Sequence, residues 1–162
     1  MNASPVMPCL HEFTIESCRT EMIRIVQQIF QTMLRTEAET TSGKPSLEPN
    51  RLTAQVHFQG AWHGTLSVQC STNGAKQLAR LFAGGQSCDE FDFAECQDVI
   101  GELANIVAGN LKVMLPKGTQ ASYPETIEAA IVPAAEEEVS IQIQTFIPAN
   151  RDSVSLTLAV RN

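Results

Sequence analysis

Asp98, Glu102 and Asn105 lie in an unbroken stretch from Asp98 to Lys112 that contains no proline. At about 100° per residue of helix they fall, together with Gly109, within about 60° of one another. An ionised glutamate accepts charge-assisted hydrogen bonds, and an asparagine amide offers both a carbonyl acceptor and N–H donors without titrating. Val99, Leu103, Ile106, Val107, Leu111 and Met114 take the other side of the same helix and are the expected buried arc. Gly101 and Ala108 flank the polar stripe. A glycine inside a helix costs about 1 kcal/mol relative to alanine, so a face meant only for water would sooner carry Lys, Glu or Ala. Small residues beside a carboxylate and an amide leave a shallow surface that another protein's backbone can approach. An ordinary wet face, with glycines admitted for packing, accounts for the same pattern, and these residues alone leave both readings open.

Other candidates are poorer. His57 and His63 are placed on adjacent strands and could bring two imidazoles together, yet no third metal ligand accompanies them, and solvent-facing or hydrogen-bonded histidines are expected. Cys70 and Cys96 have no readable His or Asp partner and read as packing. The run Glu136 to Glu138 reads as a solvated turn, and Gly84-Gly85 lacks the Lys and following Ser or Thr of a phosphate-binding loop, so it reads as a helix stop.

The elements that must position the stripe follow from periodicity. Residues 1–8 read as a loose arm, and Leu10 to Ile15 as a short strand. From Ser17, the expected N-cap, to about Glu39, apolar residues recur every three to four positions and predict a long helix, with Thr40 to Pro49 as a loop. Leu52 to Phe58 and Trp62 to Cys70 alternate on either side of Gly60 and predict a hairpin. A second helix is expected over Asn73 to Phe82, and a third from the acidic stretch Asp89 to Glu95 to Leu115. Thr126 to Val132, Val139 to Ile147 and Val154 to Val160 complete a set of about six strands. This grouping predicts an α+β fold, a largely antiparallel β-sheet covered by long helices.

The chain's 162 residues match one domain, 1–162. Eleven basic against eighteen acidic residues give a net charge of −7, which excludes the clustered cations of a phosphate-backbone binder. Five cysteines, an odd number with no close pair, imply neither a disulfide framework nor a zinc knuckle, and fit a reducing cytoplasm. No signal peptide or membrane span is read, so the expectation is a cytoplasmic protein.

The stripe resembles the motif of the CheC, CheX and FliY family of chemotaxis phosphatases. That motif runs from an acidic residue or Ser across three residues to Glu, across two more to Asn, and on to a Pro some twenty residues later. Asp98, Glu102 and Asn105 match it, and Pro124 in Ser122-Tyr123-Pro124-Glu125-Thr126 stands at the place of the proline, after a slightly shorter interval. The stretch Gly60 to Val68, Ala75 to Ala79 and Gly109-Asn110-Leu111-Lys112 are also similar to the family, and one copy of the motif is similar to CheX more than to CheC.

The resemblance implies hydrolysis of the aspartyl phosphate of a CheY-like receiver domain. In it Asn105 positions the attacking water and Glu102 docks on the receiver's active-site lysine, these two being the catalytic pair, while Asp98, Gly101, Gly109 and Pro124 form the surrounding partner contact. It implies no cofactor of the chain's own, Mg2+ being supplied by the receiver, and a homodimer joined by sheet edges. The alternative is a non-catalytic receiver-binding or scaffold module on the same fold. Intact Glu102 and Asn105 favour catalysis, because a purely adhesive surface has no need of an amide at the water position.

Overall fold

The computed structural model describes residues 14–42, 51–85, 91–128, 139–147 and 152–160. Three helices, α1 (Ile15–Thr32), α2 (Thr72–Phe82) and α3 (Phe93–Leu111), accompany seven strands: β1 (Glu39–Ser42), β2 (Arg51–Gly60), β3 (Gly64–Ser71), β4 (Thr119–Ala121), β5 (Glu125–Glu128), β6 (Val139–Phe146) and β7 (Ser153–Val160). The strands form one antiparallel sheet in the order β1-β6-β7-β3-β2-β4, with β5 also paired to β2. The expected α+β fold with a helix-covered antiparallel sheet is what forms.

Strand alternation fixes which face the helices cover. Leu52, Ala54, Val56 and Phe58 of β2, Leu66, Val68 and Cys70 of β3, Val154, Leu156 and Leu158 of β7, and Ile141 and Ile143 of β6 are buried in one cluster with the inner sides of all three helices. Full burial of each such Val, Leu or Ile contributes roughly 1.5–3 kcal/mol, so a slip of one residue in any central strand would turn its whole apolar set away from the core. Intervening residues are polar and pair across strands: Gln55 Nε2 donates to Ser67 Oγ at 3.1 Å, and His57 Nδ1 lies 3.1 Å from Thr65 Oγ1.

Several boundaries differ from the sequence reading, each for a local reason. Thr14, not Ser17, is the N-cap of α1. The two form a reciprocal capping box, Ser17 N–H to Thr14 Oγ1 at 3.1 Å and Thr14 N–H to Ser17 Oγ at 3.3 Å, with Ser at the position that usually carries Glu. Ile15 therefore opens a helix instead of closing a strand, and the rest of the expected Leu10 strand, like the arm 1–8, lies outside the described residues. The helix ends at Thr32, well before Glu39, because Arg35 takes a left-handed conformation (φ 51°) and the Thr36 N–H returns to the Phe30 carbonyl at 3.0 Å. Leu34 beyond it is still buried, which prolongs the apolar period past the true end.

Thr40, expected in a loop, belongs to β1, whose Glu-Thr-Thr-Ser sequence has no apolar alternation to betray it. It is tied to β6 by the Thr40–Thr145 hydroxyl pair at 3.2 Å. The short β4 is likewise unmarked in sequence, and α3 stops at Leu111, the chain to Leu115 being turns. β5 covers Glu125–Glu128, while the remainder of the expected strand to Val132 and the run Glu136 to Glu138 lie outside the described residues. The helix stop at Gly84-Gly85 is found as expected, both with positive φ (81° and 76°) after the C-cap Ala83.

Candidate functional site

The site is built on α3, whose start is fixed by a second capping box. Glu95 N–H donates to Asp92 Oδ1 and Asp92 N–H to Glu95 Oε2, each at 2.8 Å, so these two carboxylates are spent on closing the helix. Burial then fixes its rotation. Cys96, Ile100, Leu103, Ala104, Val107, Ala108 and Leu111 face the sheet and α2, so the centre of the inner face is Ile100, Ala104 and Val107. Val99, Ile106 and Met114, expected inside, are half-buried at its margin. The inner arc is thus turned by part of a residue step from the one read in sequence, because the buried alanines carry no strong hydrophobic signal.

Opposite this face, Asp98, Glu102, Asn105 and Gly109 are all exposed, in the stripe expected from sequence. The side chains of Asp98, Glu102 and Asn105 make no hydrogen bond or ion pair among the described residues. Asp98 and Glu102, four apart, repel one another by a few tenths of a kcal/mol, and no cation on the helix relieves them. Asn110, by contrast, donates from Nδ2 to the Ile106 carbonyl at 2.8 Å and is committed to its own helix. A methyl group built on Gly109 would meet nothing within 4 Å, so no contact within the described chain requires glycine there.

Gly101 and Ala108 depart from expectation: both are buried. A methyl group on Gly101 would lie 3.6 Å from Thr126 Cγ2 and 4.0 Å from Pro124 Cγ, so the helix backbone at Gly101 is covered by the chain leading into β5. This brings Pro124 to the edge of the stripe, beside Gly101, which lies one helical turn from Asp98 and from Asn105. The sequence-predicted residues Asp98, Glu102, Asn105, Gly109 and Pro124 are therefore gathered on one surface, with Gly101 beneath Pro124 as its support.

Pro124 is held by the sheet as well. β2 pairs with β4 as Phe58↔Ala121 and with β5 as Gln55↔Glu125, so three residues, Ser122 to Pro124, face two, Val56 and His57. This is a one-residue bulge, a place where a strand tolerates proline and re-aims its side chains. Ser122 clamps it to β2: its N–H donates to the His57 carbonyl at 2.8 Å and its Oγ accepts from the His57 N–H at 3.0 Å.

On the other margin of the stripe a cleft of about 110 Å³ separates α1 from α3, lined by Ile25, Ile29, Thr32, Met33, Ile106 and Asn110 among others. Sequence reasoning passed over this cleft, since the apolar period places Met33 inside whereas it is 46% exposed at the helix end. The other candidates stay apart from the stripe. His63 lies in the turn after β2, not on a strand, and with His57 lines a hollow of about 420 Å³ at that end of the hairpin. Among the described residues no three His, Cys, Asp or Glu side chains converge as a metal set would. Cys18, Cys70 and Cys96 are buried free thiols. Burial pushes the Cys70 thiol up to about 12 and raises Cys96 as well, which suits packing and not nucleophilic attack. No helix among the described residues is long and apolar enough to cross a membrane.

Comparison with known proteins follows the same line. The family model described as chemotaxis phosphatase CheX matches residues 52–146, from the start of β2 to the end of β6, and includes the whole stripe. A chain of the crystal structure of the CheX-CheY-BeF3-Mg2+ complex from Borrelia burgdorferi superposes with a TM-score of 0.70 at 19% identity, covering 88% of this chain and 97% of that one. The chemotaxis protein CheX of Vibrio vulnificus gives 0.71 at 14% identity, over 90% of this chain and 99% of that one. FliY of Thermotoga maritima gives 0.62 at 11% identity, over 96% and 92%. At these identities the superpositions establish the fold. Curated protein sequences give no match.

Proposed function

The chain belongs to the CheX family of chemotaxis phosphatases, and from that premise we propose that the outer face of α3 hydrolyses the aspartyl phosphate of a CheY-like receiver domain. The observation that carries the proposal is the pair Glu102 and Asn105, exposed one turn apart and without partners among the described residues, beside Pro124. In the reaction a water oxygen bonds to phosphorus as the bond from phosphorus to the aspartyl oxygen breaks. The products are a free carboxylate and inorganic phosphate, and the water's proton leaves with the phosphate or to solvent. Little covalent work falls to the catalyst, so position is what it must supply.

Asn105 is suited to positioning, since its carbonyl accepts from the water while its NH2 donates to a phosphoryl or carboxylate oxygen, and neither function depends on titration. Glu102, on the same face, would take the receiver's lysine in a charge-assisted contact and hold the two proteins in register. Asp98 borders the contact. Gly109 leaves room for a partner's backbone to approach. Mg2+ comes with the receiver, where it would neutralise the phosphoryl charge; the solved CheX-CheY-BeF3-Mg2+ complex of Borrelia burgdorferi supports that division of labour.

We further propose a single cytoplasmic domain acting as a homodimer. In the sheet β7 lies between β6 and β3, and β6 between β1 and β7. Among the described residues the sheet ends at β1 on one side, where Val139 to Gln142 of β6 lie beyond the register of β1, and at β4 and β5 on the other; the first is the side proposed to join the two copies. Light scattering should give twice the 17.7 kDa chain mass, and a monomer at all concentrations would refute it.

The function is tested by phosphate release from the phosphorylated receiver proteins of the same cell, in Mg2+, with and without this chain. Acceleration for one receiver and not the others is the expected result. Binding of a receiver without acceleration would establish the non-catalytic scaffold in its place.

A further inference from the structure

Tyr123 is the sole tyrosine of the chain and is 91% exposed, the most open of the large apolar side chains described. An exposed aromatic costs solubility and normally rides on a flexible loop. This one does not. Its neighbours on both sides are placed by the fold, Ser122 by the paired hydrogen bonds to His57 and Pro124 by its seat over the helix at Gly101. The Ser122 hydroxyl also donates to the Tyr123 carbonyl at 2.9 Å, and the bulge between β4 and β5 turns the segment out of the regular pleat. An aromatic ring carried on a rigid backbone loses little conformational entropy on binding, which is why tyrosines of this kind serve as interface anchors.

Its place supplies the partner. Gly101 lies one turn from Asp98 and from Asn105, so the segment that bears Tyr123 forms one bank of the stripe, while Ile106 and Met33 at the α1–α3 cleft form the other. A polar, acidic centre thus runs between two apolar margins, and the margin that carries Tyr123 adjoins the stripe through Pro124. We propose that Tyr123 is a positioning residue that anchors the receiver domain beside the stripe, setting affinity rather than chemistry. This inference rests on the phosphatase reading above and adds to it a residue outside the family motif.

The test uses the full chain as Tyr123→Ala and Tyr123→Phe. Steady-state hydrolysis of the responsive phosphorylated receiver is combined with titration of the beryllofluoride–Mg2+ form of that receiver. Tyr123→Ala should raise both KM and Kd by about tenfold and leave kcat within about twofold, while Tyr123→Phe, which keeps the ring, should behave as wild type. An unchanged melting curve is expected for both, since the side chain is out in solvent. Unchanged KM and Kd in Tyr123→Ala overturn the anchor even where Asn105→Ala has lost its activity, in which case the phosphatase reading stands. A wild type that neither binds nor hydrolyses any receiver overturns both.

Discussion

Helices α1 and α3 lie side by side over the sheet and are of similar length, yet their outer faces are built on opposite rules. On α1 the acids are answered locally. Glu16 pairs with Arg19 at 3.2 Å, and Glu21 pairs with Arg24, whose other nitrogen reaches Gln28 Oε1 at 2.9 Å. On α3 two acids are placed where they repel, the Asn105 amide has no partner among the described residues, and a glycine has no neighbour within them. A face under selection for stability alone settles its own charges, as α1 does. The outer face of α3 gives up about 1–2 kcal/mol in glycine propensity and like-charge repulsion, and a surface that accepts such a cost has a use that lies outside the chain.

The difference between the two helices is erased by giving α3 the character of α1. Glu102→Lys places a cation four residues after Asp98 and converts repulsion into a helical pair. It should leave the melting temperature equal or slightly raised, while weakening association with the phosphorylated receiver by roughly 10²-fold, because a charge facing the receiver's lysine has been reversed. Titration with the beryllofluoride–Mg2+ receiver reads the second effect directly.

Gly109→Ala probes the same contrast at a position where no neighbour objects. Denaturant unfolding should show a gain of about 0.5–1 kcal/mol from helix propensity, and association should weaken several-fold as the added methyl meets the receiver. Stabilisation with undiminished association would return Gly109 to the status of an ordinary solvated residue.

The smallest effect belongs to α1. The hydrogen bond from Arg24 lowers the Glu21 carboxyl below its ordinary 4.5. A lowered folded value means that the pair's stabilisation is present above about 4.5 and is lost as pH falls through the folded value. Glu21→Gln should therefore cost at most about 0.5 kcal/mol at neutral pH and nothing once the solution is acid enough to protonate Glu21, with dephosphorylation unaffected. Thermal melts across that range check the sign.

What could be read in the sequence depended on which residue types announce themselves. The stripe was legible because Asp, Glu and Asn at four and three residues on a helix of Val, Leu and Ile leave little choice of face. The central strands were legible from alternation, as in Leu52, Ala54, Val56 and Phe58. The edges were not. β1 is Glu-Thr-Thr-Ser, held by backbone pairing to β6 that no local pattern encodes, and β4 is three residues long. Gly101 and Ala108 looked like part of the exposed surface because small residues are ambiguous in periodicity, and their burial depends on β5 and on the core. Tyr123 was visible only as the residue before Pro124. Its rigidity comes from a register shift between β4 and β5, which is a property of three strands together and has no signature in the local sequence.

Everything proposed for the stripe depends on the exposed Asn105 amide of α3 doing chemistry, and Asn105→Ala removes that amide alone. The measurement is the single-turnover rate of dephosphorylation at saturating phosphorylated receiver, with Kd for the beryllofluoride–Mg2+ form determined alongside. A fall in rate of about 10²-fold or more is expected, with Kd changed little and stability within about 0.5 kcal/mol of wild type, since the side chain is exposed and its loss removes only a contact to the attacking water. A variant that hydrolyses the receiver as fast as wild type, or that fails to fold, would contradict this role and leave the stripe adhesive or structural.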